Sequence, residues 1–406
     1  MGAGSALRNE MNGIAEAPGK TWFWELAAGV IDAERCVECG ICVAVCPSDS
    51  IGIGADHGRP ELVKMCTGCS LCWDFCPRGG LQYEALWPKA QPRPTEADWK
   101  ISGSRGEGLG RVERSYSARV AAGMAGAQDG GVVSAILIAA LEGGEIDGAL
   151  LARPSPTEPW KGVAFLACSP EEVRECAGSF YNQTMALAHL DLRAYDLPPD
   201  PRIAVVGTPC EIQGITAMQA QAWPRGASRV DAVVLTIALL CTKSFDYEGL
   251  MLRELRDRRG IDLADVGKVD VVHGQMVVDD TEGRNLVTEA VGDFHGAALK
   301  GCDECADFLG RTADLSVGSV GSGAGYSSVL VRSPAGARAF ERAADGLELA
   351  GLEDPNALVK LDAYDRRVAL RSLRRNFDPD GPLFISYEDH LDAYSGSDRA
   401  PHEDGR

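Results

Sequence analysis

The sequence predicts a mixed α/β (α+β) protein of two unequal domains, with a small cysteine-rich module ahead of a larger α/β domain. Three observations lead to this fold class. Eight of the 14 cysteines fall between positions 36 and 76, and Pro and Gly collect at 88–110, as in a linker. Beyond the linker, short apolar segments alternate with segments of helical length, which is typical of a mixed α/β core.

The composition also predicts the domain boundaries. We expect a leader at 1–25, the cysteine-rich module at 26–90, a linker at 91–112, the α/β domain at 113–380 and an acidic tail at 381–406. Within the α/β domain the pattern predicts helices at 131–141, 335–344 and 362–375, and strands at 148–152, 202–206, 230–241 and 313–317. The linker composition predicts that the module is separable from the domain.

The first module contains two runs with the same cysteine spacing, C-x2-C-x2-C-x3-C-P. This is the spacing of a bacterial two-cluster ferredoxin, in which the fourth cysteine of each run binds the cluster of the other run. We therefore assign one 4Fe-4S cluster to Cys36, Cys39, Cys42 and Cys76, and a second to Cys66, Cys69, Cys72 and Cys46. Zinc sites use spaced pairs and disulfides need an oxidising compartment, so both alternatives fit poorly.

Four further cysteines lie at turns beside predicted strand ends or a helix start. Cys210 ends the segment VVGTPC, Cys241 ends LTIALLC, and Cys302 and Cys305 lie in GCDEC. A pair separated by two residues, completed by two single cysteines, fits a third cubane. The alternative that these are isolated, inert buried thiols stays open at this point.

Charge and hydropathy exclude several classes of function. The formal net charge of -19 repels nucleic acid and anionic membranes, so we expect neither as a partner. The longest apolar run, 232–241, is about half of a spanning helix, and the amino terminus lacks the pattern of a signal peptide. Cysteine-rich metal motifs without that pattern predict a cytoplasmic protein.

Several segments of the α/β domain carry a resemblance to a known family. They are AQDGGVVSAILIAALEGGEIDGALL at 127–151, AGSFYNQ at 177–183, VGTPCEIQG at 206–214 and GCDECADFLGRTADLSVGSVGS at 301–322. In this order they resemble the family of beta subunits of coenzyme F420-reducing hydrogenase and its dehydrogenase relatives. The resemblance implies a flavin-binding α/β domain in which hydride passes between F420 and FAD. It also implies a 4Fe-4S cluster on Cys210, Cys241, Cys302 and Cys305.

Glycine-rich turns suggest where a flavin pyrophosphate would lie, although neither matches the dinucleotide fingerprint and both are also consistent with tight packing. With the resemblance added, the predicted flavin contacts are Asp129, Gly130, Gly131, Gly178, Tyr181, Asn182, Thr208, Pro209, Ser319, Val320 and Gly321. Thr208 and Pro209 precede Cys210, so their backbone is expected between flavin and cluster. No side-chain acid or base is predicted, because hydride moves directly between two stacked rings.

An amino-terminal double ferredoxin joined to this domain resembles F420-oxidising input subunits of respiratory complexes. The prediction is an FAD and iron-sulfur oxidoreductase with F420 as substrate, three 4Fe-4S clusters, and a redox partner protein or complex as electron acceptor. Two alternatives stay open. One is a reductase of a tetrapyrrole-like substrate, because 7-hydroxymethyl chlorophyll a reductase belongs to the same family. The other is a non-catalytic electron-transfer subunit, which would need clusters but no flavin.

Overall fold

A computed structural model describes residues 22–55, 58–80 and 109–372. The predicted acidic tail lies outside the described residues, as do all but the last four residues of the predicted leader and of the predicted linker. In the part that is described, no helix combines the length and the apolar composition needed to cross a bilayer.

The helices and strands of the described residues are given in chain order. The α-helices are α1 (Phe23–Leu26), α2 (Ile41–Ala44), α3 (Leu71–Asp74), α4 (Val132–Glu142), α5 (Pro170–Glu175), α6 (Pro209–Ala220), α7 (Pro334–Ala343) and α8 (Pro355–Ser372). The strands are β1 (Ile51–Ile53), β2 (Pro60–Leu62), β3 (Arg114–Val120), β4 (Gly148–Pro154), β5 (Gly162–Ala167), β6 (Ile203–Gly207), β7 (Val233–Leu239), β8 (Val266–Val272), β9 (Gln275–Asp280), β10 (Asn285–Ala290), β11 (Leu315–Gly318), β12 (Ser327–Val331) and β13 (Leu347–Ala350). Within the described residues there are also two π-helical segments, Ala27–Ile31 and Glu248–Asp257, and several 3₁₀ turns.

The main sheet has eight strands in the order β13-β3-β12-β11-β7-β6-β4-β5. Its four central strands, β11, β7, β6 and β4, are mutually parallel, and the flanking pairs are antiparallel. The central strands are apolar and mostly buried, as expected for parallel strands covered on both faces. Their carboxyl ends meet at one edge of the sheet, which is where ligands bind in open α/β sheets.

Alternate residues of the central strands face opposite sides of the sheet. Ala149 and Leu151 of β4 belong to a core that contains α4 and α7, whereas Leu150 belongs to a second core that contains α6. The predicted helices and strands of the α/β domain are present with shifts of at most three residues at their ends, except the last helix. That helix begins at Pro355, seven residues before its predicted start at 362, and the predicted residues 373–375 lie outside the described residues. The mixed α/β fold class is confirmed.

The cysteine-rich module is built from two similar turns. Each of α2 and α3 begins directly after a residue with positive φ, which is Gly40 (φ 80°) in the first run and Ser70 (φ 71°) in the second. The antiparallel pair β1 and β2 lies between the two helices in sequence. The repeated cysteine spacing thus corresponds to repeated backbone structure.

The module packs directly against the α/β domain, and its separability stays a prediction. Ile41 and Phe75 of the module share one buried core with Leu187, Ile212 and Ile215 of the α/β domain. A module this small buries little apolar surface by itself, and its apolar side chains instead cover the α6 side of the main sheet. The linker composition gave no information about this contact, because it describes only the covalent connection.

A second antiparallel sheet, in the order β10-β9-β8, was not predicted from the sequence. Its strands alternate charged and apolar residues over a small core of its own. Gln128 Nε2 donates to the Val269 carbonyl at 3.1 Å, and Trp160 Nε1 donates to the Val266 carbonyl at 3.2 Å. These bonds hold β8 next to the loops that leave the carboxyl edge of the main sheet.

Candidate functional site

The first predicted cysteine set lies around one cavity. Cys36, Cys39 and Cys42 line it together with Cys76, which comes from the other run. Burial raises the pKa of the Cys36 thiol to about 12, with a smaller contribution from repulsion by Cys76. The backbone amide of Glu38 donates to Cys36 Sγ at 3.4 Å, a bond that stabilises the thiolate. The crossed pairing of the two runs is therefore visible in which thiols share the cavity.

The second predicted set lies beside the first. Burial raises the pKa of the Cys72 thiol well above its ordinary value, and repulsion from Cys42, Cys66, Cys69 and Cys46 adds to the effect. Three of these four neighbours are the predicted partners of Cys72, and Cys42 belongs to the first set. Cys69 is exposed, whereas the other cysteines of both runs are buried or partly buried.

The third predicted set lies at the carboxyl edge of the main sheet. Cys210 is at the start of α6, directly after β6, and Cys241 follows β7. Burial raises the pKa of the Cys241 thiol well above its ordinary value, and repulsion from Cys302, Cys210 and Cys305 adds to it. The four thiols that the sequence joined by spacing and by resemblance are thus neighbours.

Polar groups lie within hydrogen-bond distance of two thiols of the third set. Thr208 Oγ1 lies 3.1 Å from Cys210 Sγ, and the Ser244 backbone amide donates to Cys302 Sγ at 3.5 Å. Gln183 links Thr208 to Ser244, because its Nε2 donates to Thr208 Oγ1 at 3.1 Å and to Ser244 Oγ at 3.0 Å. Sequence reasoning missed Gln183, whose only signal was its place at the end of the segment AGSFYNQ.

The third set also lies next to the first. After burial, repulsion from Cys210 is the largest contribution that raises the pKa of the Cys39 thiol. Arg35 Nε and Nη2 donate to the two carboxylate oxygens of Glu304 at 2.6 and 2.8 Å, and Arg78 Nε donates to the Gly301 carbonyl at 2.6 Å. Two arginines of the module therefore hold the loop that carries Cys302 and Cys305. Sequence reasoning missed both.

Close backbone approach explains the glycine in this loop. A Cβ at Gly301 would lie 2.1 Å from the carbonyl oxygen of Arg35, a contact that backbone atoms cannot relieve by rotation. Glycine therefore allows the module to contact the loop directly. We call the contact of Arg35 and Arg78 with residues 301–304, together with the shared core beneath it, the junction.

The donor chemistry of the three sets fits cubanes. Each set offers four thiols, which is the donor set of a 4Fe-4S cluster, and iron binding requires their deprotonation. No group of three or more His, Cys, Asp or Glu side chains within residues 22–55, 58–80 and 109–372 has the geometry to hold a single metal ion. A cubane spreads its thiolates over four irons, so its ligands need not converge on one point.

Two of the predicted flavin contacts, Tyr181 and Asp129, lie close to each other and to Asp270 of β8, and we call these three residues the β8 cluster. Burial raises the pKa of Tyr181, and the carboxylates of Asp270 and Asp129 and the thiolate of Cys241 raise it further. Burial also raises the pKa of Asp129, with Asp270 adding to the shift and Lys268 opposing it. Tyr181 thus lies near both Asp129 and the third cysteine set.

Other predicted flavin contacts use their polar groups inside the protein. The Gly130 amide donates to Ser327 Oγ at 3.1 Å, and a Cβ at Gly130 would lie 2.3 Å from the Ala118 carbonyl oxygen. Both Nδ2 hydrogens of Asn182 are used, on the carbonyls of Gly162 and Gln183 at 2.9 Å each. Close packing therefore accounts for Gly130, and Asn182 joins its own loop to β5.

The remaining predicted contacts lie at turns. Gly131 caps the start of α4 with φ 70°, and Gly178 has φ 126°. Thr208 and Pro209 begin α6 beside Cys210, and the backbone amide of Thr208 donates to Glu211 Oε2 at 2.8 Å. Ser319, Val320 and Gly321 come directly after β11 at the same edge, and Ser319 is exposed to solvent.

Comparison with protein-family models identifies both parts of the chain. The models for the N-terminal and C-terminal parts of the coenzyme F420 hydrogenase/dehydrogenase beta subunit match residues 115–191 and 200–355. The chain belongs to this family of beta subunits. A 4Fe-4S dicluster domain model matches residues 28–87, so an iron-sulfur domain of the ferredoxin type precedes the beta-subunit domain. The resemblance stated from the sequence is confirmed.

Individual relatives cover most of the chain. An uncharacterised protein of Methanocaldococcus jannaschii is 30% identical over 87% of this chain and 97% of its own length. A subunit of the F420H2 dehydrogenase of Methanosarcina mazei is 28% identical over 82% of this chain and 89% of its own length. A chain in the structure of the F420-reducing [NiFe] hydrogenase complex from Methanosarcina barkeri is similar with a TM-score of 0.58 and 28% identity, over 65% of this chain and 91% of that chain. The family is one of oxidoreductase subunits linked to electron transfer.

Proposed function

We propose that this protein transfers hydride between coenzyme F420 and FAD and relays single electrons through three 4Fe-4S clusters to a partner protein or complex. The observation that carries the proposal is the order of the three cysteine sets. The third set neighbours the first through Cys210 and Cys39, and the first neighbours the second through Cys42 and Cys72. Cys69 of the second set is exposed, so the second set is the proposed exit.

The cofactors would divide the chemistry between them. F420 exchanges a hydride, which carries two electrons, whereas a cubane exchanges one, and FAD supplies the conversion between them. Cys210, Cys241, Cys302 and Cys305 would hold the cluster nearest the hydride site. Thr208, Ser244 and Gln183 orient these thiolates and stabilise their charge, as outer hydrogen bonds do at other metal sites.

The β8 cluster marks the proposed flavin site. Tyr181 lies near Asp129 and Cys241, and the turn at Ser319–Gly321 follows β11 at the carboxyl edge of the main sheet. The chain's contribution would be to bind and orient two rings and to exclude water, with no side chain acting as acid or base. Cytoplasmic localisation also belongs to the proposal, because free thiols in this number persist in a reducing compartment.

One observation favours the non-catalytic alternative. Gly130 and Asn182 use their hydrogen-bond donors on other groups of the protein, so these donors are not available to a flavin. A subunit that only transfers electrons would need the clusters and no flavin. The flavin content of the purified protein therefore separates the two functions.

The deciding experiment is an anaerobic preparation followed by addition of reduced F420. We expect about twelve irons and one noncovalent FAD per chain, and loss of flavin and cluster absorbance when reduced F420 is added. Iron near eight would show that the third set binds no cluster. Full iron without flavin, even after FAD is supplied, would favour the electron-transfer subunit. Full cofactor content without any reaction would favour a different substrate, such as a tetrapyrrole.

A further inference from the structure

Arg78 lies between the first and third cysteine sets. It comes two residues after Cys76, and it is 2% exposed. Its Nη1 donates to the Pro77 carbonyl at 2.8 Å, and its Nε donates to the carbonyl of Gly301, the residue before Cys302, at 2.6 Å. One guanidinium therefore spans the backbone next to a thiol of each set.

The charge of Arg78 lies beside both sets, because its guanidinium binds the backbone next to Cys76 and next to Cys302. Other charged groups lie on the elements packed around it. Arg35 pairs with Glu304, Lys243 pairs with Asp303, and the side chains of Glu211, Asp307 and Asp365 are buried.

We propose that Arg78 is a positioning residue for electron transfer between the third and first clusters. Its fixed charge favours the reduced state of both clusters, and its two hydrogen bonds hold the loops that carry them at a constant separation. A buried positive charge acts strongly on an added electron because the surrounding dielectric is low. The inference rests on the proposed third cluster.

The test compares Arg78→Gln with Arg78→Lys, which keeps the charge but loses the planar fork. Arg193→Gln is the control, because Arg193 is exposed and pairs with Asp49 and Asp191. Each protein is prepared anaerobically, its iron is counted, and its clusters are titrated with electron paramagnetic resonance as the readout. The signal of the third cluster is assigned by its loss in Cys302→Ser.

For Arg78→Gln we expect full iron and a tenfold lower ratio of reduced to oxidised first and third clusters at a fixed potential, which is about 59 mV for a one-electron couple. The second cluster should shift less, and Arg78→Lys and Arg193→Gln should keep all three potentials near those of the unmodified protein. Unchanged potentials in Arg78→Gln, or an equal shift in Arg78→Lys, would overturn the proposal.

Two further outcomes separate the proposals. Iron near eight in the unmodified protein would remove the third cluster and the proposed function would fail first. If Arg78→Gln does not fold, Arg78→Met, which also removes the charge, takes its place: a tenfold fall in the reduced fraction of the first and third clusters supports the proposal, and unchanged potentials overturn it.

Discussion

The junction and the β8 cluster both lie near the third cysteine set and are built differently. The junction is buried, with Arg35 and Arg78 holding residues 301–304 over a shared apolar core. In the β8 cluster, burial and the neighbouring carboxylate of Asp270 raise the pKa of both Tyr181 and Asp129. The difference teaches that the contact between the first and third cysteine sets is fixed by packing and hydrogen bonds, whereas the β8 cluster brings acidic groups together at a cost in stability.

Deleting the module tests this contrast with the largest expected effect. Removal of residues 1–108 exposes Leu187, Ile212 and Ile215, which are fully buried in the complete chain. We expect the fragment to lose its cooperative thermal transition, measured by circular dichroism, because exposing these three side chains alone costs about 4.5–9 kcal/mol, a large part of the about 5–15 kcal/mol that stabilises a typical protein. Deletion of residues 381–406 is the control and should keep the transition. A fragment that melts like the full chain would show that the junction is not needed for folding.

Breaking the ion pair at the junction should have the next largest effect. Arg35→Met leaves Glu304 buried without this partner, and loss of one member of a buried pair costs about 3–5 kcal/mol. The matched control is Arg174→Met, which breaks an exposed pair with Glu171 and should cost less than about 1 kcal/mol. Urea unfolding measures both. Equal costs for the two variants would contradict a closed junction.

The close contact at Gly301 should have a smaller effect. Gly301→Ala forces the loop away from the Arg35 carbonyl, at a cost of roughly 1–3 kcal/mol for overpacking. Because Cys302 moves with this loop, iron should also fall toward eight per chain, a loss of about a third of the total. Gly296→Ala is the control, since a Cβ there meets no atom within 4 Å. Full iron and unchanged stability in Gly301→Ala would show that the loop tolerates the shift.

Substitution of Asp129 in the β8 cluster should have the smallest effect on stability. The folded pKa of Asp129 is raised above its ordinary value, so its charge costs stability at neutral pH and costs none below about pH 4, where it is protonated in both states. Asp129→Asn should therefore remove a decline in stability as pH rises from about 4, with a change within about 0.5 kcal/mol at pH 7. Unfolding curves at pH 4 and pH 7 measure the difference. A large loss of stability would place Asp129 in the fold and not in a ligand site.

The cysteines that the sequence grouped by spacing are neighbours in the structure, because the ferredoxin pattern has a fixed spacing, and their role as cluster ligands stays a prediction. Cys76 joins the first set although it lies in the second run, which the ferredoxin pattern specifies. The central strands were predicted because buried parallel strands are continuous apolar runs. Arg78, Gln183 and the β8–β10 sheet were not predicted. Their roles depend on residues distant in sequence, such as Gly301 for Arg78, and one sequence carries no signal for such contacts.

The order of electron transfer is tested most directly by mixing reduced F420 rapidly and anaerobically with Cys302→Ser and Cys69→Ser. We expect flavin bleaching at an unchanged rate in both variants. In Cys302→Ser the ferredoxin clusters should stay oxidised on that timescale, because the third cluster is missing from the path. In Cys69→Ser the third and first clusters should be reduced while turnover with a downstream acceptor is lost. Ferredoxin clusters that are reduced at the unmodified rate in Cys302→Ser would contradict the proposed relay.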